Sequence, residues 1–566
     1  MSMRIAFAQL DPVVGAFEAN VKKIKEAYKR ACSKGARLLL TPELGVCGYP
    51  PHDLIERPEI FDRNEQAVNQ LAAITKGQNC ALAVGHVATN PGEEGKTAQN
   101  VVTLLENGKR VFRQAKTLLP TYDVFDEGRY FQPASNIGLW ECDGRRIAIG
   151  ICEDLWANDP TLGRRLYGND PVDKYREHGA ELILSLSASP YETGKLARRE
   201  QLHSETAVSL GVPIIYVNQV GATDEILFDG ASFAFNTKGE LVGRLPFFKN
   251  SFAVVDVDFE KSPKQVTWES PGPEGREDAA PDELEILLRG LTTGIREYFS
   301  RTGFKSAVIG LSGGIDSAVV GVLAARALGP QNVLGVAMPS QYSSGHSLED
   351  AEILARNLGI RFEVRPIKFL FSTASRELSE RRSGGLAPIA LENLQSRLRG
   401  MVLMTLANND CALVLTTGNK SEVATGYCTL YGDMVGALAP IGDLFKTRVY
   451  SLAHHINKTM GNPIPDRCLT KPPSAELKPN QTDQDTLPPY EQLDPLLADY
   501  IENGTSIEEL KSKYGNSIDQ TDWVKNILTR IELNEYKRRQ GAPVLKVSRK
   551  AFGIGRRIPI AKVWDQ

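Results

Sequence analysis

Residues 310–320 read GLSGGIDSAVV, a glycine turn between an apolar strand pattern and the start of a helical one. This arrangement is suited to holding a phosphate, because the first N–H groups of a helix are unpaired and point at a bound anion. The stretch lacks the lysine that the common phosphate loop places before its Ser or Thr. Asp316 would repel phosphates unless a Mg²⁺ ion lay between them, so we interpret it as a metal ligand. The loop therefore predicts metal-dependent phosphate chemistry that needs no loop lysine.

The chain on both sides of this loop alternates short apolar strands with helical segments. Downstream, VLGVAMP, FEVRPI and ALVLTTGN are strand-like, and upstream a series of such strands runs from residue 3 to about 260. This alternation on both sides predicts two α/β domains. The intervening KSPKQVTWESPGPEGREDAAPDE is rich in Pro, Gly and charge, which is typical of a linker. We therefore predict domains at 1–260 and 284–566, with a linker at 261–283.

Size and composition restrict the class of protein. With 566 residues, 42% of them hydrophobic and 24% charged, the chain has the composition of an ordinary globular enzyme. A net charge of -3 argues against a nucleic-acid binder, and no apolar run is long enough to span a bilayer. The eight cysteines show neither a CxxC pair nor disulfide-like spacing, and no signal peptide is evident. We expect a cytoplasmic enzyme that binds neither nucleic acid nor membranes.

Three chemically informative residues follow predicted strands in the first domain. Cys152 ends RRIAIGIC, Glu43 follows ARLLLTP, and Lys116 follows RQA. Taken singly, they fit a buried apolar cysteine, a surface acid and a solvated lysine. Together they supply a nucleophile, a base that forms the thiolate, and a positive charge for an oxyanion, assisted by the backbone N–H after the cysteine. The set predicts acyl transfer through Cys152.

The motifs LLLTPELGVCGY, KTLLPTYDVFDE and GICEDLW resemble the Glu-Lys-Cys triad of the nitrilase superfamily, over residues 3 to about 260. The resemblance implies an αββα sandwich and amide hydrolysis through a thioester. It puts Glu127 where that family often has a second glutamate that supports the lysine. The glutaminase branch implies a glutamine-binding set of Tyr122, Ser189, Lys195 and Glu127, although Ser189 and Lys195 also fit ordinary loop residues. His86, His178 and His203 lie outside the pattern and are expected to be polar structural residues.

The SGGIDS loop resembles that of the ATP pyrophosphatases, adenylating enzymes whose loop holds the pyrophosphate end of ATP. This resemblance implies a Rossmann-like parallel α/β sheet of the adenine nucleotide alpha hydrolase type in the second domain. It also accounts for the missing lysine. The bond that breaks lies between the α- and β-phosphates, so the loop need not hold a γ-phosphate that departs by itself. The implied product is an adenylate.

Residues 285 to about 566 resemble NAD synthetases, above all in ENLQSRLRGMVLMTLAN and LVLTTGNKSEVATGYCTLYGDMVGALAPIGDLFKTRVY. In that family's terms, Mg²⁺ would be held by Asp316 and Glu422. Deamido-NAD would contact Asn393, Arg397, Glu422 and Lys537. ATP would contact Gly310, Leu311, Ser312, Gly313, Gly314, Ile315, Asp316, Ser317, Thr417, Lys446 and Ser474.

The chain departs from the smaller, ammonia-using family members at several of these positions. They carry His-Lys where this chain has Tyr536-Lys537, so only the lysine is transferred. They also carry a lysine and an aspartate where Leu430 and Ala437 stand. Part of the predicted deamido-NAD contact set therefore stays open.

The whole chain resembles glutamine-dependent NAD synthetases. Free ammonia is mostly protonated at neutral pH and ammonium is no nucleophile, so a fused glutaminase has a physical purpose. The resemblance implies conversion of deamido-NAD, ATP and glutamine into NAD, AMP, pyrophosphate and glutamate, through an NAD-adenylate, with Mg²⁺, in a homo-oligomer. Two alternatives are another glutamine-dependent adenylating ligase, which would lack TGNKSEVATGYCTLYGD, and a nitrilase-type amidase with a nucleotide-sensing second half. The latter would not need Asp316, Glu422 and Lys446.

Overall fold

The structure, a computed structural model, describes residues 2–159, 164–269, 275–380, 384–479, 481–515 and 521–563. The chain divides into two compact units, Met1–Pro281 and Asp282–Gln566. Both units combine helices with sheets that contain parallel strands, so the predicted α/β class is confirmed. Among the helices of the described residues, none has both the length and the apolar character needed to cross a membrane.

The first unit is built from two β-sheets with helices outside them. Its strands are β1 (Ser2–Gln9), β2 (Leu38–Leu40), β3 (Ala81–Thr89), β4 (Ala98–Glu106), β5 (Lys109–Ala115), β6 (Leu139–Cys142), β7 (Arg145–Ile151), β8 (Leu182–Ser187), β9 (Ile214–Asn218), β10 (Val220–Thr223), β11 (Ile226–Asp229), β12 (Phe233–Phe235), β13 (Leu241–Arg244), β14 (Ser251–Asp258) and β15 (Gln265–Glu269). Its helices are α1 (Phe17–Ser33), α2 (Glu59–Ile74), α3 (Glu127–Tyr130), α4 (Pro171–Glu177) and α5 (Lys195–Leu210), with 3₁₀ turns at His52–Glu56 and Cys152–Leu155.

The sheets and helices of this unit form four layers. One sheet has the order β15-β14-β1-β2-β3-β4-β5, the other β13-β12-β9-β8-β7-β6, and β10 pairs with β11. Side chains such as Phe7, Ile149 and Leu184 fill the space between the two sheets. Helices α1 and α2 cover the outer face of the first sheet, and α4 and α5 cover that of the second. The predicted αββα sandwich is therefore confirmed.

The second unit contains a four-stranded sheet surrounded by helices. Its strands are β16 (Ala307–Gly310), β17 (Val333–Ala337), β18 (Arg361–Val364) and β19 (Leu413–Leu415). Its helices are α6 (Glu283–Thr302), α7 (Ile315–Leu328), α8 (Gly345–Leu358), α9 (Lys368–Ser379), α10 (Pro388–Asn409), α11 (Lys420–Thr425), α12 (Lys446–Met460), α13 (Asp466–Thr470), α14 (Tyr490–Ile501), α15 (Ile507–Tyr514), α16 (Thr521–Leu533) and α17 (Glu535–Arg538), with 3₁₀ turns at Pro330–Asn332 and Asp483–Asp485.

All four strands of this sheet are parallel, in the order β18-β17-β16-β19. The strand order reverses between β16 and β19, which is where open α/β sheets bind ligands, at the carboxyl ends of the strands. The loop at 310–317 follows β16, and residues 416–419 follow β19. The topology therefore brings the two predicted nucleotide segments to the same edge. This arrangement is the Rossmann-like sheet that the sequence predicts.

Gly313 is required for the conformation of the loop. Its φ is +71°, and a Cβ at this position would lie 2.3 Å from the backbone oxygen of Ser347 in α8. Any other residue would be strained and would also displace α8, since no side-chain carbon fits this close to a backbone atom. The glycine thus lets the loop pack directly against α8.

The predicted linker at 261–283 is wrong in its first half. Residues Gln265–Glu269 form β15, which pairs with β14 as the edge of the seven-stranded sheet. Val266 and Trp268 are buried in the core, and Trp268 packs edge-to-face on Phe7 at 5.3 Å between ring centroids. Pro and Gly on either side of the strand dominate the composition and conceal it, and an edge strand tolerates such neighbours. The first unit accordingly extends to Pro281.

We predict that Trp268→Ala destabilises the chain by about 3–5 kcal/mol, because it removes a buried aromatic side chain from the core. The matched control is Thr267→Ala, one residue away on the exposed face of the same strand. The measurement is urea denaturation of the full chain. Equal stability of the two variants would mean that β15 does not pack on the sheet.

Candidate functional site

The three predicted catalytic residues of the first unit come from the ends of three strands. Glu43 lies three residues beyond β2, Lys116 directly follows β5, and Cys152 directly follows β7. The Lys116 ammonium lies 2.7 Å from Glu43 Oε1. Glu43 also accepts hydrogen bonds from Asn100 Nδ2 at 2.7 Å and from the backbone N–H of Ala188 at 2.9 Å. Its orientation is therefore fixed by three donors from three different segments.

Glu127 contacts the lysine from the other side. Its Oε1 is 2.7 Å from Lys116 Nζ and accepts a hydrogen bond from the Tyr49 hydroxyl at 2.8 Å. Burial and the charge of Glu43 raise the pKa of Glu127 to about 7, because together they outweigh the charge of Lys116, which lowers it. Burial opposes the charge of Lys116, but the two carboxylates outweigh it, so the pKa of Lys116 lies well above its usual value. The lysine is thus held as a cation.

Cys152 is held in an unusual backbone conformation beside this cluster. Its φ is +45°, a left-handed value that is uncommon for residues other than glycine. Its side chain is buried, and burial together with the charge of Glu43 raises the pKa of its thiol. Sparsely populated conformations of this kind concentrate at functional sites, where the surrounding structure holds them. The chain thus turns sharply at Cys152, directly after β7.

Glu153 is a functional candidate that sequence reasoning missed. It directly follows Cys152, is buried, and accepts hydrogen bonds from the hydroxyls of Tyr122 at 2.9 Å and Tyr167 at 2.8 Å. Burial raises its pKa. Its position after the cysteine in GICED was the available signal, but only the fold brings the two tyrosines to it. The structure therefore connects Tyr122, predicted to bind glutamine, to the residue that follows the nucleophile.

Ser189 and Lys195 lie on the segment that leads from β8 to α5. Ser189 is buried, and its backbone N–H donates to Asn218 Oδ1 at 2.8 Å. Its neighbour Ala188 contacts Glu43, so this segment borders the cluster. Lys195 begins α5, with its ammonium 5.5 Å from the Trp156 ring centroid, and burial lowers its pKa. Ser189 and Lys195 thus belong to a segment that reaches Glu43 through the backbone N–H of Ala188.

The three histidines set aside in the sequence are separate from this cluster. His86 is buried and bonded to Thr103 Oγ1 at 2.8 Å, and burial lowers its pKa to about 4. His203 is buried, with Nδ1 2.7 Å from the carbonyl oxygen of Arg199. His178 caps the end of α4 and is exposed.

The glycine loop of the second unit is braced by its own hydroxyls. Ser312 Oγ lies 3.1 Å from Ser317 Oγ and accepts a hydrogen bond from the Gly314 N–H at 3.2 Å. Ser317 in turn donates to the carbonyl oxygen of Gly314 at 3.0 Å. Helix α7 begins directly after Gly314, so its first N–H groups face the loop. The loop is preformed with donors at a helix N-terminus.

Two carboxylates and one lysine meet beside this loop. The Lys446 ammonium is ion-paired with Asp316 Oδ2 and lies 3.6 Å from Glu422 Oε1. Burial and the charge of Asp316 raise the pKa of Glu422 to about 8. Burial opposes the charge of Lys446, but the carboxylates outweigh it and raise its pKa. The three residues, predicted from separate motifs, form one cluster.

Asn419 connects the parts of this cluster and was missed in the sequence. Its Nδ2 donates to Asp316 Oδ1 at 3.0 Å, while its Oδ1 caps α11 by accepting from the Glu422 N–H at 3.0 Å. The carboxylate of Glu422 in turn accepts a hydrogen bond from the Asn419 N–H at 3.1 Å. This reciprocal pattern is a capping box, and its N-x-x-E signature in NKSE was readable from the sequence.

Thr417 and Ser474 lie in irregular segments of the second unit. Thr417 stands between β19 and α11. Ser474 Oγ accepts from the N–H of Glu476, and Glu476 is bonded to the hydroxyl of Ser347 at 2.6 Å. Ser347 is the residue against which Gly313 packs, so the segment that carries Ser474 is attached beside the glycine loop. These contacts place the Ser474 segment and the glycine loop next to each other.

The three remaining predicted residues meet at the turn that follows α11. Asn393 Oδ1 accepts from Thr429 Oγ1 at 2.9 Å, and Arg397 Nε donates to the carbonyl oxygen of Leu430 at 3.2 Å. The Lys537 ammonium donates to the carbonyl oxygens of Gly426 and Cys428 at 2.8 and 2.9 Å. Helices α10 and α17 thus converge on one turn, although they lie far apart in sequence.

Comparisons with known proteins agree with this division of the chain. The family model described as carbon-nitrogen hydrolase matches residues 4–262, and that described as NAD synthase matches residues 287–541. A glutamine-dependent NAD(+) synthetase of Synechocystis sp. is 43% identical over 567 residues, covering 99% of each chain. One from Thermotoga maritima is 38% identical, covering 99% of this chain and 98% of the relative.

A solved structure from the same family is similar to this chain. It is a glutamine-dependent NAD+ synthetase from Acinetobacter baumannii in complex with adenosine diphosphate, and it is 35% identical to this chain. It matches with a TM-score of 0.76 over 99% of this chain and 98% of its own. Because the similarity extends over both units in sequence and in structure, the chain belongs to the glutamine-dependent NAD(+) synthetases.

Proposed function

We propose that this chain amidates deamido-NAD to NAD through two sites, a glutaminase in the first unit and an adenylating site in the second. The observation that supports the proposal best is the pair of charge clusters. Lys116 stands between two carboxylates next to Cys152, and Lys446 stands between two carboxylates next to the glycine loop. A nucleophile-base-cation set suits amide hydrolysis, and a loop with paired carboxylates suits nucleotide chemistry.

In the first unit, Cys152 Sγ attacks the side-chain amide carbon of glutamine and Glu43 accepts the thiol proton. Lys116 and the N–H of Glu153 stabilise the oxyanion that forms. The proton passes to the leaving nitrogen, ammonia departs, and a thioester remains on Cys152. Water, deprotonated by Glu43, then attacks the thioester, which releases glutamate and returns the proton to sulfur. Glu127 keeps Lys116 charged and in place throughout.

The raised thiol pKa of Cys152 supports a role for Glu43 as the base. Burial and the negative charge of Glu43 oppose the thiolate and so raise the pKa of the thiol. Transfer of the proton to Glu43 during attack removes that opposing charge. Glutamine would be held by Tyr122, Ser189 and Lys195, with the lysine opposite the α-carboxylate. Glu153 orients Tyr122 through the hydrogen bond between them.

In the second unit, ATP lies against residues 310–317, with Thr417, Lys446 and Ser474 as further contacts. The carboxylate of deamido-NAD attacks the α-phosphorus, pyrophosphate leaves, and an NAD-adenylate forms. Ammonia then attacks the activated carbonyl carbon and displaces AMP. Asn393, Arg397, Glu422 and Lys537 would hold deamido-NAD. The convergence of Asn393, Arg397 and Lys537 on the turn at 426–430 supports this grouping.

Asp316 and Glu422 fit Mg²⁺. Both are hard oxygen donors, and both face the same cation, the Lys446 ammonium. Two adjacent carboxylates that are partly buried are costly without positive charge beside them. Among the described residues no cluster of three or more His, Cys, Asp or Glu could hold a metal. Mg²⁺ is commonly held by one or two carboxylates, with phosphate oxygens and water completing its shell. When bound, the ion would neutralise charge on the phosphates.

We predict that Cys152→Ala abolishes glutamine-dependent NAD formation and leaves the ammonium-dependent reaction intact. The thiol serves only glutamine, so an external nitrogen source should bypass it. The assay measures NAD with glutamine or with high ammonium as the nitrogen donor. Cys411→Ala, at an exposed cysteine, is the control and should keep both activities. Loss of both reactions in a folded Cys152→Ala protein would contradict the separation of the two sites.

We predict that Asp316→Asn reduces NAD formation from both nitrogen sources at least about hundredfold, since about 3 kcal/mol of charge stabilisation is lost at the phosphates. Glutamate release from glutamine should persist. Glu508→Gln, an exposed carboxylate of the same unit, is the control. Release of pyrophosphate with deamido-NAD and ATP is the direct measurement. Turnover of Asp316→Asn near that of the control would exclude Asp316 as a metal ligand.

The surface of the second unit supports a homo-oligomer. Helices α9 and α10 pack together and expose several large apolar side chains, namely Phe369 (81%), Ile389 (62%), Leu378 (55%) and Met401 (50%). Exposed apolar side chains on two packed helices are typical of an interaction surface, and a second copy of the same chain is the commonest partner. We infer that α9 and α10 form the contact between two copies.

We predict that the paired change Phe369→Glu and Ile389→Glu converts the oligomer to a single chain of 62.1 kDa. Two buried charges facing each other across an interface should prevent association. Light scattering after size-exclusion chromatography measures the mass. Val208→Glu, at an exposed valine of the first unit, should leave the oligomer unchanged. A wild-type chain that is monomeric at micromolar concentration would contradict the inference.

A further inference from the structure

One face of α10 runs between two segments that we assign to ATP. Gln395, Arg399 and Leu403 recur at a spacing of four, so they share this face. At one end, Gln395 Nε2 donates to the carbonyl oxygen of Leu477, in the segment that carries Ser474. At the other, a Cβ on Gly310 would lie 3.3 Å from Leu403 Cδ1. Arg399 therefore stands between the Ser474 segment and the start of the glycine loop.

Arg399 is anchored to the protein through one nitrogen only. Its Nε donates to the carbonyl oxygen of Met338 at 3.2 Å, directly after β17 and thus at the carboxyl edge of the sheet. Within the part of the chain that the structure describes, its terminal nitrogens make no hydrogen bond or ion pair. The side chain is nevertheless partly buried, and burial lowers its pKa although the carboxylates of Glu476 and Asp433 oppose this.

The terminal nitrogens of Arg399 are available to a ligand, because the side chain is only partly buried. Nε is held by the carbonyl oxygen of Met338, and the other four of the five N–H donors are unused among the described residues. The planar pair of terminal nitrogens matches two oxygens of a phosphate. By contrast, Arg397, two residues earlier, points to the turn at 426–430 and donates to Leu430. The two arginines of α10 thus serve different parts of the site.

We propose that Arg399 binds the α-phosphoryl group of the nucleotide, the group that is transferred to the substrate and leaves as part of AMP. The glycine loop from Ser312 to Ser317 takes the pyrophosphate end, which leaves the α-phosphoryl group nearest to Gly310 and the face of α10. This assignment rests on the proposed function of the loop as the ATP site. It adds to the predicted set a binding residue that stabilises negative charge at the reacting phosphorus.

The test compares AMP with adenosine, two ligands that differ only in the phosphoryl group. We expect Arg399→Met to weaken AMP binding at least tenfold and to leave adenosine binding within twofold, by titration calorimetry on the full chain. Arg399→Lys keeps the charge but loses the paired donors, so it should give an intermediate Kd for AMP. Arg376→Met, at an exposed arginine of α9, is the control and should match wild type for both ligands.

The outcomes separate this inference from the function on which it rests. Equal losses for AMP and adenosine in Arg399→Met, or no loss for AMP, would overturn the role of Arg399 while leaving the nucleotide site in place. Wild-type protein that binds neither AMP nor adenosine would overturn the nucleotide site and the inference with it. If Arg399→Met does not fold, the Kd of Arg399→Lys decides, since unchanged AMP binding there would exclude paired recognition of a phosphate.

Discussion

Both sites depend on a buried lysine held between two carboxylates. Lys116 lies between Glu43 and Glu127, and Lys446 between Asp316 and Glu422. Neither a pair of carboxylates nor a lysine can be buried alone without a large free-energy cost, so each member of a cluster requires the others. The strands and loops that carry these residues must therefore end at positions that bring the three charged groups together. This requirement links the charge of each site to the sheet that supports it.

The ends of the strands supply the geometry that such clusters need. Parallel strands bring residues from distant parts of the chain to one edge, and a sharp backbone turn then presents the side chain. Cys152 and Gly313 show two forms of this turn, both at positive φ. Glycine adopts the conformation without steric strain, whereas at Cys152 the surrounding structure has to sustain the strain, as the proposed role of its side chain would require.

The sequence was informative where a motif is local and uninformative where a contact is long-range. The loop at 310–317 and the positions of Glu43, Lys116 and Cys152 could be predicted because each stands at a recognisable strand end. Strand β15 could not, since its short apolar pattern lies among Pro and Gly, and only pairing with β14 identifies it. Glu153 is local to Cys152, yet its bonds to Tyr122 and Tyr167 depend on tertiary packing.

Leu430 and Ala437, the two positions at which the predicted deamido-NAD contacts stay open, are both held through the backbone. The carbonyl oxygen of Leu430, in the turn at 426–430, accepts from Arg397 Nε, and that of Ala437, beyond the turn, accepts from the Tyr298 hydroxyl. A carbonyl is present whatever the side chain, so the turn can be held while the side chain changes. Lys537 likewise donates to backbone oxygens of this turn. The shape of the turn can thus be kept by α10 and α17 whatever side chain stands at position 430.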